Sequence, residues 1–262
     1  MYKHPSTPRS IGGVLDDTIQ LYKASFASCW LFGLLMGLVS FGFSLYVLSP
    51  NGTPLTPTEQ FALMKTPTFL IGYLLLIAIS LLIYGAVTAN VYAVSRGEQP
   101  GVRSGLATGL RVWLSMFFAG LVFAIIIVCG LVLLILPGIY LMTRLQLWPV
   151  AVVGDRNGPM QSLGTSWRLV QGHWWRTFTV FAVLVIIAAV VFSVFGMLAG
   201  FTAAAMRLSP ADALVATQGV SLVATVFTIP AFPSALVAIY HDLKLRKEGG
   251  DLAARMSNVQ PA

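Results

Sequence analysis

Charge is scarce in this chain. Asp and Glu together number nine, Lys and Arg sixteen, and charged residues make up 10 % of the sequence. A soluble domain is usually about 25 % charged. Too little charge is available here to cover a water-facing surface, so the bilayer must be the solvent for much of it. Cysteine is nearly absent too. Cys29 and Cys129 lie in apolar runs with no Cys or His at metal spacing. They read as small core residues and do not reveal a redox compartment.

The few ionisable groups are also in the wrong places for chemistry. Asp16, Asp17, Glu59, Glu98, Asp155, Asp212, Asp242, Glu248 and Asp251 all avoid the middle of an apolar run. A proton-driven carrier usually keeps such a group inside the membrane, so that reading is disfavoured. His4, His173 and His241 are far apart. There is no H-E-x-x-H, no P-loop and no dinucleotide glycine pattern. Ser80, Ser193 and Ser221 have no His or Asp at helical spacing and read as small packing residues. No catalytic set, cofactor or metal site is expected. The net charge of +7 is spread over short loops with no basic stripe, so no nucleic-acid partner is expected either.

What the chain has is apolar length. Hydrophobic residues are 57 % of it. Six runs can cross a bilayer: 29–48, 68–92, 112–136, 139–153, 177–204 and 218–240. The fold expected is all-α, a polytopic membrane protein. The fourth run is short and follows Leu136-Pro137-Gly138, which predicts a tight turn and a hairpin of runs three and four. The first run is longer than a signal peptide's apolar region and lacks an A-x-A exit, so it is expected to stay as an anchor.

The flanks alternate in charge. One side carries Lys3, Arg9, Lys23, Arg96, Arg103, Arg111, Arg156, Arg168, Arg176, Lys244, Arg246, Lys247 and Arg255; the other carries Lys65 and Arg207. By the positive-inside rule both termini are expected in the cytoplasm of a bacterial cell, with the chain in the inner membrane. The same basic residues suit anionic lipid as a partner.

Three segments on the basic side have apolar residues at helical spacing. They are Ile11, Leu15, Ile19, Tyr22 and Phe26; Leu106, Leu110, Trp113 and Phe117; and Met160, Leu163, Trp167, Val170 and Trp174. Each is expected as an interfacial amphipathic helix, or else as the end of a long transmembrane helix. Leu15, Leu21, Phe26 and Trp30 align with Leu163, Leu169, Trp174 and Phe178, which suggests three hairpins, each opened by such a helix. The expected division is 1–28 as a cytoplasmic N-terminal segment, 29–242 as the six-helix domain and 243–262 as a polar cytoplasmic tail that frays. The 49–67 loop, with Pro50, Pro54, Pro57 and Pro67, is expected to be mostly irregular, and it holds a chance sequon at Asn51-Gly52-Thr53.

Between Leu136 and Thr179 the chain reads L-P-G-I-Y-L-M-T-R and then G-P-M-Q-S-L-G-T-S-W-R-L-V-Q-G-H-W-W-R-T-F. This resembles the membrane-domain family associated with glycerophosphoryl diester phosphodiesterases, and related bacterial inner-membrane proteins. Val14 to Phe26 and Ile239 to Arg246 fit the same pattern. The resemblance implies a multi-helix bacterial membrane protein. It implies no diesterase activity, because the catalytic barrel with its acidic and His residues is absent.

A few residues stand out as candidate contacts. Trp167, Arg168, Trp174, Trp175 and Arg176, with His173, form an aromatic–basic cluster suited to anchoring at the interface or to a lipid headgroup. Arg144 is the one formal charge inside a span. It lies five residues after Ile139, so about 8 Å below the outer end of that helix. It is expected either to snorkel outwards or to face the bundle with Asn90, Gln146 or an anion, with Tyr140 and Trp148 one turn away. Asp16-Asp17 and His241-Asp242 read as solvated helix faces. Gly33/Gly37 and Gly196/Gly200 allow close helix approach, within the chain or between copies of a homo-oligomer. The function expected is non-enzymatic, in envelope or lipid organisation. The alternative is a carrier or channel for a lipid or small amphiphile, with Asn90, Arg144 and Gln146 on its path.

Overall fold

A computed structural model describes residues 7–46 and 55–259, with the backbone alone at 210–211 and 248–259. Lys3, His4, Pro50, the sequon and Pro54 lie outside the described residues. The described residues form ten helices: α1 (Ile11–Tyr46), α2 (Pro57–Met64), α3 (Pro67–Ser95), α4 (Val102–Leu133), α5 (Ile135–Leu145), α6 (Trp148–Gly154), α7 (Pro159–Val170), α8 (Trp174–Ala205), α9 (Pro210–Thr228) and α10 (Ala231–Val259). Six stretches are long and apolar enough to cross a membrane, four of them single helices and two, 135–154 and 212–247, built from broken pairs.

The first and second amphipathic segments are not separate helices. α1 runs unbroken for 36 residues, about 54 Å. No Gly or Pro interrupts the stripe Val14, Thr18, Leu21, Ser25, Cys29, Phe32 that it buries. Ile19 is exposed. In α4 the buried stripe is Gly105, Gly109, Val112 and Met116, whereas Leu106 and Leu110 are exposed. The reason is that membrane helices approach through small residues, while large apolar ones are as well solvated by lipid. Only the third segment is set apart, as α7, because Gly172 takes φ +86° and turns the chain before α8.

Prolines account for the other departures. Pro137 and Gly138 lie within the first turn of α5, where Pro loses no helical bond, and the turn from α4 is Leu134 alone. Pro149 opens α6 and splits the fourth span; Pro230 splits the sixth between α9 and α10. The 49–67 loop, expected to be mostly irregular, contains the helix α2 among its described residues. α2 starts on a capping box, with Thr56 accepting from the Glu59 N–H and donating its own to Glu59 at 2.8 Å. The Thr56 hydroxyl also donates to the Glu59 carboxylate at 2.7 Å, and this bond first, with the backbone one second, holds the Glu59 carboxyl below the usual range. The tail beyond Arg246, expected to fray, continues as helix to Val259.

The core lies toward one end of the bundle. From Pro233 to Leu243 every residue of α10 is buried, as are 85–91 of α3 and 147–153 around α6. Close approaches join α1 to α9, α3 to α4 and α4 to α5. A Cβ on Gly33 would come within 2.7 Å of the Val226 Cα, and one on Gly109 within 2.8 Å of the Leu82 carbonyl. Close packing falls within the α4–α5 hairpin, where a Cβ on Gly138 would come within 3.0 Å of the Leu131 N, and between hairpins as well. Gly33/Gly37 is occupied by α9 of the same chain, whereas Gly196 and Gly200 face open space.

Candidate functional site

The basic end of the bundle carries two polar constructions, which divide between them the residues singled out in the sequence. The first is an ion cluster on Asp242. This carboxylate is 4 % exposed, not a solvated face. It accepts from the Arg176 Nε at 2.9 Å, the Arg246 Nε at 3.1 Å and the Arg9 backbone N–H at 2.8 Å. The Nη2 atoms of both arginines also donate to the Arg9 carbonyl, at 2.5 Å each. Arg9 in turn lies 3.7 Å from Asp17. Asp16, one position away, points elsewhere and accepts from Gln20. The cluster thus ties α1, α8 and α10 together. Arg176 makes its contacts with protein, at Asp242 and the Arg9 carbonyl.

Two neighbours extend the tie. His241 contacts the Ser95 hydroxyl at 3.1 Å through Nε2 and stacks on Tyr92 at 5.5 Å, which joins α10 to α3. The Tyr240 hydroxyl donates to the Asp155 carboxylate, which Lys244 approaches at 3.3 Å. A charge out of water is tolerated only when paired and hydrogen-bonded. Asp242, the buried one, is met by donors from α8, α10 and the segment before α1, while the more exposed Asp155 takes both of its donors from α10.

The second construction surrounds the break in the fourth span. Where α5 stops and α6 starts, the helical bonding pattern lapses. The Ser166 hydroxyl of α7 repairs it: it accepts from the Leu147 N–H at 3.1 Å and donates to the Arg144 carbonyl at 2.8 Å. The Arg144 guanidinium then lies over the Trp167 ring, 4.4 Å from its centroid, and near Tyr140 at 5.1 Å. Trp174 stacks on Tyr140 at 5.6 Å and on Phe178 at 5.1 Å, meets Trp175 edge-on at 4.7 Å, and donates its indole N–H to the Tyr140 carbonyl at 3.2 Å. Trp175 is 73 % exposed.

Arg144 therefore reaches toward α7, where its guanidinium meets the Trp167 ring. Trp148 is not its partner; that ring packs against Phe123 and Gly120. Asn90 is not brought to Arg144 either. It is buried among α1, α3 and α4, where it donates to the Ser28 carbonyl at 2.9 Å and abuts Gly105. Gln146 is adjacent in sequence, and its Oε1 is buried without a hydrogen-bond partner, as are the Arg144 Nε and the His173 Nδ1. Arg168 is exposed and contacts only Thr165 at 3.5 Å. An open cleft of about 410 Å³ lies between α1 and the α3–α4 connection, lined by Ala24, Ala27, Ser28 and Glu98 among others. Sequence reasoning did not find Ser166, Asp155, Tyr240 or the roles of Arg9 and Arg246. Pro149 and Pro230 were the available signals for the breaks.

Six apolar crossings and outward-facing Leu, Ile, Val and Phe define a multi-pass helical membrane protein. The chain belongs to the family described as a domain of unknown function, DUF7847, which matches residues 26–243. Two bacterial relatives are named UPF0259 membrane proteins. One, from Pectobacterium carotovorum subsp. carotovorum, is 27 % identical over 119 residues, 45 % of this chain and 47 % of the relative. The other, from Photorhabdus laumondii subsp. laumondii, is 31 % identical over 116 residues, 44 % of each. The chain thus matches less than half the length of either relative. No solved structure matches.

Proposed function

We propose that this chain is a non-enzymatic protein of the bacterial inner membrane that organises lipid at its basic end, with both termini in the cytoplasm. The observation that carries the reading is the aromatic–arginine group of Tyr140, Arg144, Trp167, Trp174 and Trp175 beside a cross-braced ion cluster. Indoles settle at headgroup level, and guanidinium groups pair with lipid phosphate. The cluster supports a static role, since Asp155 and Asp242 already hold structural partners. The phosphodiesterase-associated resemblance supports the membrane setting and adds no activity. The test is incubation of the purified chain with a phospholipid and phosphoester panel. No turnover is expected; reproducible product release would contradict the proposal. Topology is checked by reporter fusions at Pro57 and Asp212, both expected outside.

One observation favours a second reading, a carrier or channel for a lipid or small amphiphile. The fourth and sixth spans are both discontinuous, and broken helices are found where transporters bind their substrates. Lipid flux in proteoliposomes above that of empty vesicles would support it.

A further inference from the structure

We propose that the junction of α5, α7 and α8 binds a phosphate group through the Arg144 guanidinium, with a phospholipid headgroup as the bearer. The inference deepens the lipid-organising reading and rests on it. Arg9, Arg176 and Arg246 each lie against a carboxylate. Among the described residues Arg144 has no carboxylate partner, and its cation is met by the ring faces of Trp167 and Tyr140. Stacking engages the flat face of a guanidinium and leaves its in-plane N–H groups without partners. One of them, on Nε, is shut off from solvent with no acceptor. A buried donor in that state is unfavourable and is normally satisfied, so the missing partner is an acceptor that arrives from outside the chain. A phosphate supplies oxygens in the geometry that the guanidinium fork takes.

Phosphatidylglycerol and phosphatidylethanolamine both carry such a phosphate, whereas a diacylglycerol has none. The apolar walls match this assignment. Trp174, Trp175 and Phe178 lie next to the junction on a helix with an exposed apolar face from Val185 to Phe201, so acyl chains can follow that face of α8 while the headgroup stays at Arg144. Ser166 acts as a positioning residue. It holds the α5 end and α7 together, and with them Arg144 and Trp167.

The test is native mass spectrometry of the full chain in mild detergent. It is titrated separately with phosphatidylglycerol, phosphatidylethanolamine, diacylglycerol and inorganic phosphate. Wild type is expected to retain either phospholipid over diacylglycerol. R144Q should lower that retention about tenfold, the loss of one charge-assisted pair. R144K should fall between the two, and R207Q, on an exposed arginine between α8 and α9, should stay within about twofold of wild type. Should R144Q not fold, W167L removes the ring under the guanidinium, and unchanged phospholipid retention there overturns the site. Arg144-dependent binding of inorganic phosphate as strong as that of lipid overturns the lipid bearer and keeps the phosphate. Equal phospholipid retention by wild type and R144Q overturns the site, yet leaves the lipid-organising reading intact. That reading falls instead if wild type binds no phospholipid at all.

Discussion

The first part of α10, 231–240, and α8 are both apolar, and they live in different surroundings. Eleven consecutive residues of α10, Pro233 to Leu243, are buried. Along α8, Val185, Ile186, Ile187, Val190, Phe192, Met197 and Phe201 are all more than half exposed. Composition does not separate them, because hydropathy reports preference for an apolar solvent and not which one, protein or lipid. What separates them is access. Small residues let other helices close on the packed end: Gly33, Gly37, Gly105 and Gly109 leave no room for a Cβ. Gly196 and Gly200 on α8 have open space. The packed end also carries the polar cross-links, since a buried polar group needs its partner within the protein.

The largest effect should come from breaking a cross-link. D242N leaves two partly buried arginines without their charge partner and is expected to cost about 3 kcal/mol, read as a lower unfolding midpoint in detergent. An unchanged midpoint would mean that the packed end does not depend on its ions. Next come the glycines. G33L or G109L forces apart backbones in contact and should cost about 1–3 kcal/mol. G196L should stay within about 0.5 kcal/mol. Comparable losses at both ends would erase the contrast, and a change in oligomeric state on G196L would show that a second copy covers that face.

A smaller loss, about 1–2 kcal/mol, is expected for S166A, because the Leu147 N–H and the Arg144 carbonyl lose their shared partner at a buried break. The same variant should weaken any ligand held by Arg144. Smallest is the pH response of α2. Glu59 titrates below its unfolded value, so its support for the cap is complete above about pH 4 and fades as the pH falls through the lowered value. Amide exchange in 57–64 should quicken only in that acid range, with no change in the bundle.

Much of this was legible in the sequence, and the failures have a common cause. Six crossings followed from run length, and the closeness of Gly33 and Gly37 to another helix followed from their size. The ion cluster did not. Asp242 meets partners 66 and 233 positions away in sequence, at Arg176 and Arg9, and no spacing rule links them. Reading Asp242 as solvated overlooked the unbroken apolar run before it, which places that helix inside the bundle. The amphipathic segments were drawn through large residues such as Leu106 and Leu110, whereas the buried stripe runs through the glycines beside them. Arg144 was located by depth alone, without the turn at Pro149 that gives it Ser166 and Trp167 as neighbours.

The account turns on whether the packed, basic end holds lipid. The most direct measurement is extraction and mass-spectrometric identification of whatever phospholipid remains on the wild-type chain after purification in mild detergent. The prediction is a phosphate-bearing lipid retained in a fixed ratio near one per chain through repeated washing. Loss of all lipid at the first wash, with the chain still folded, would contradict it.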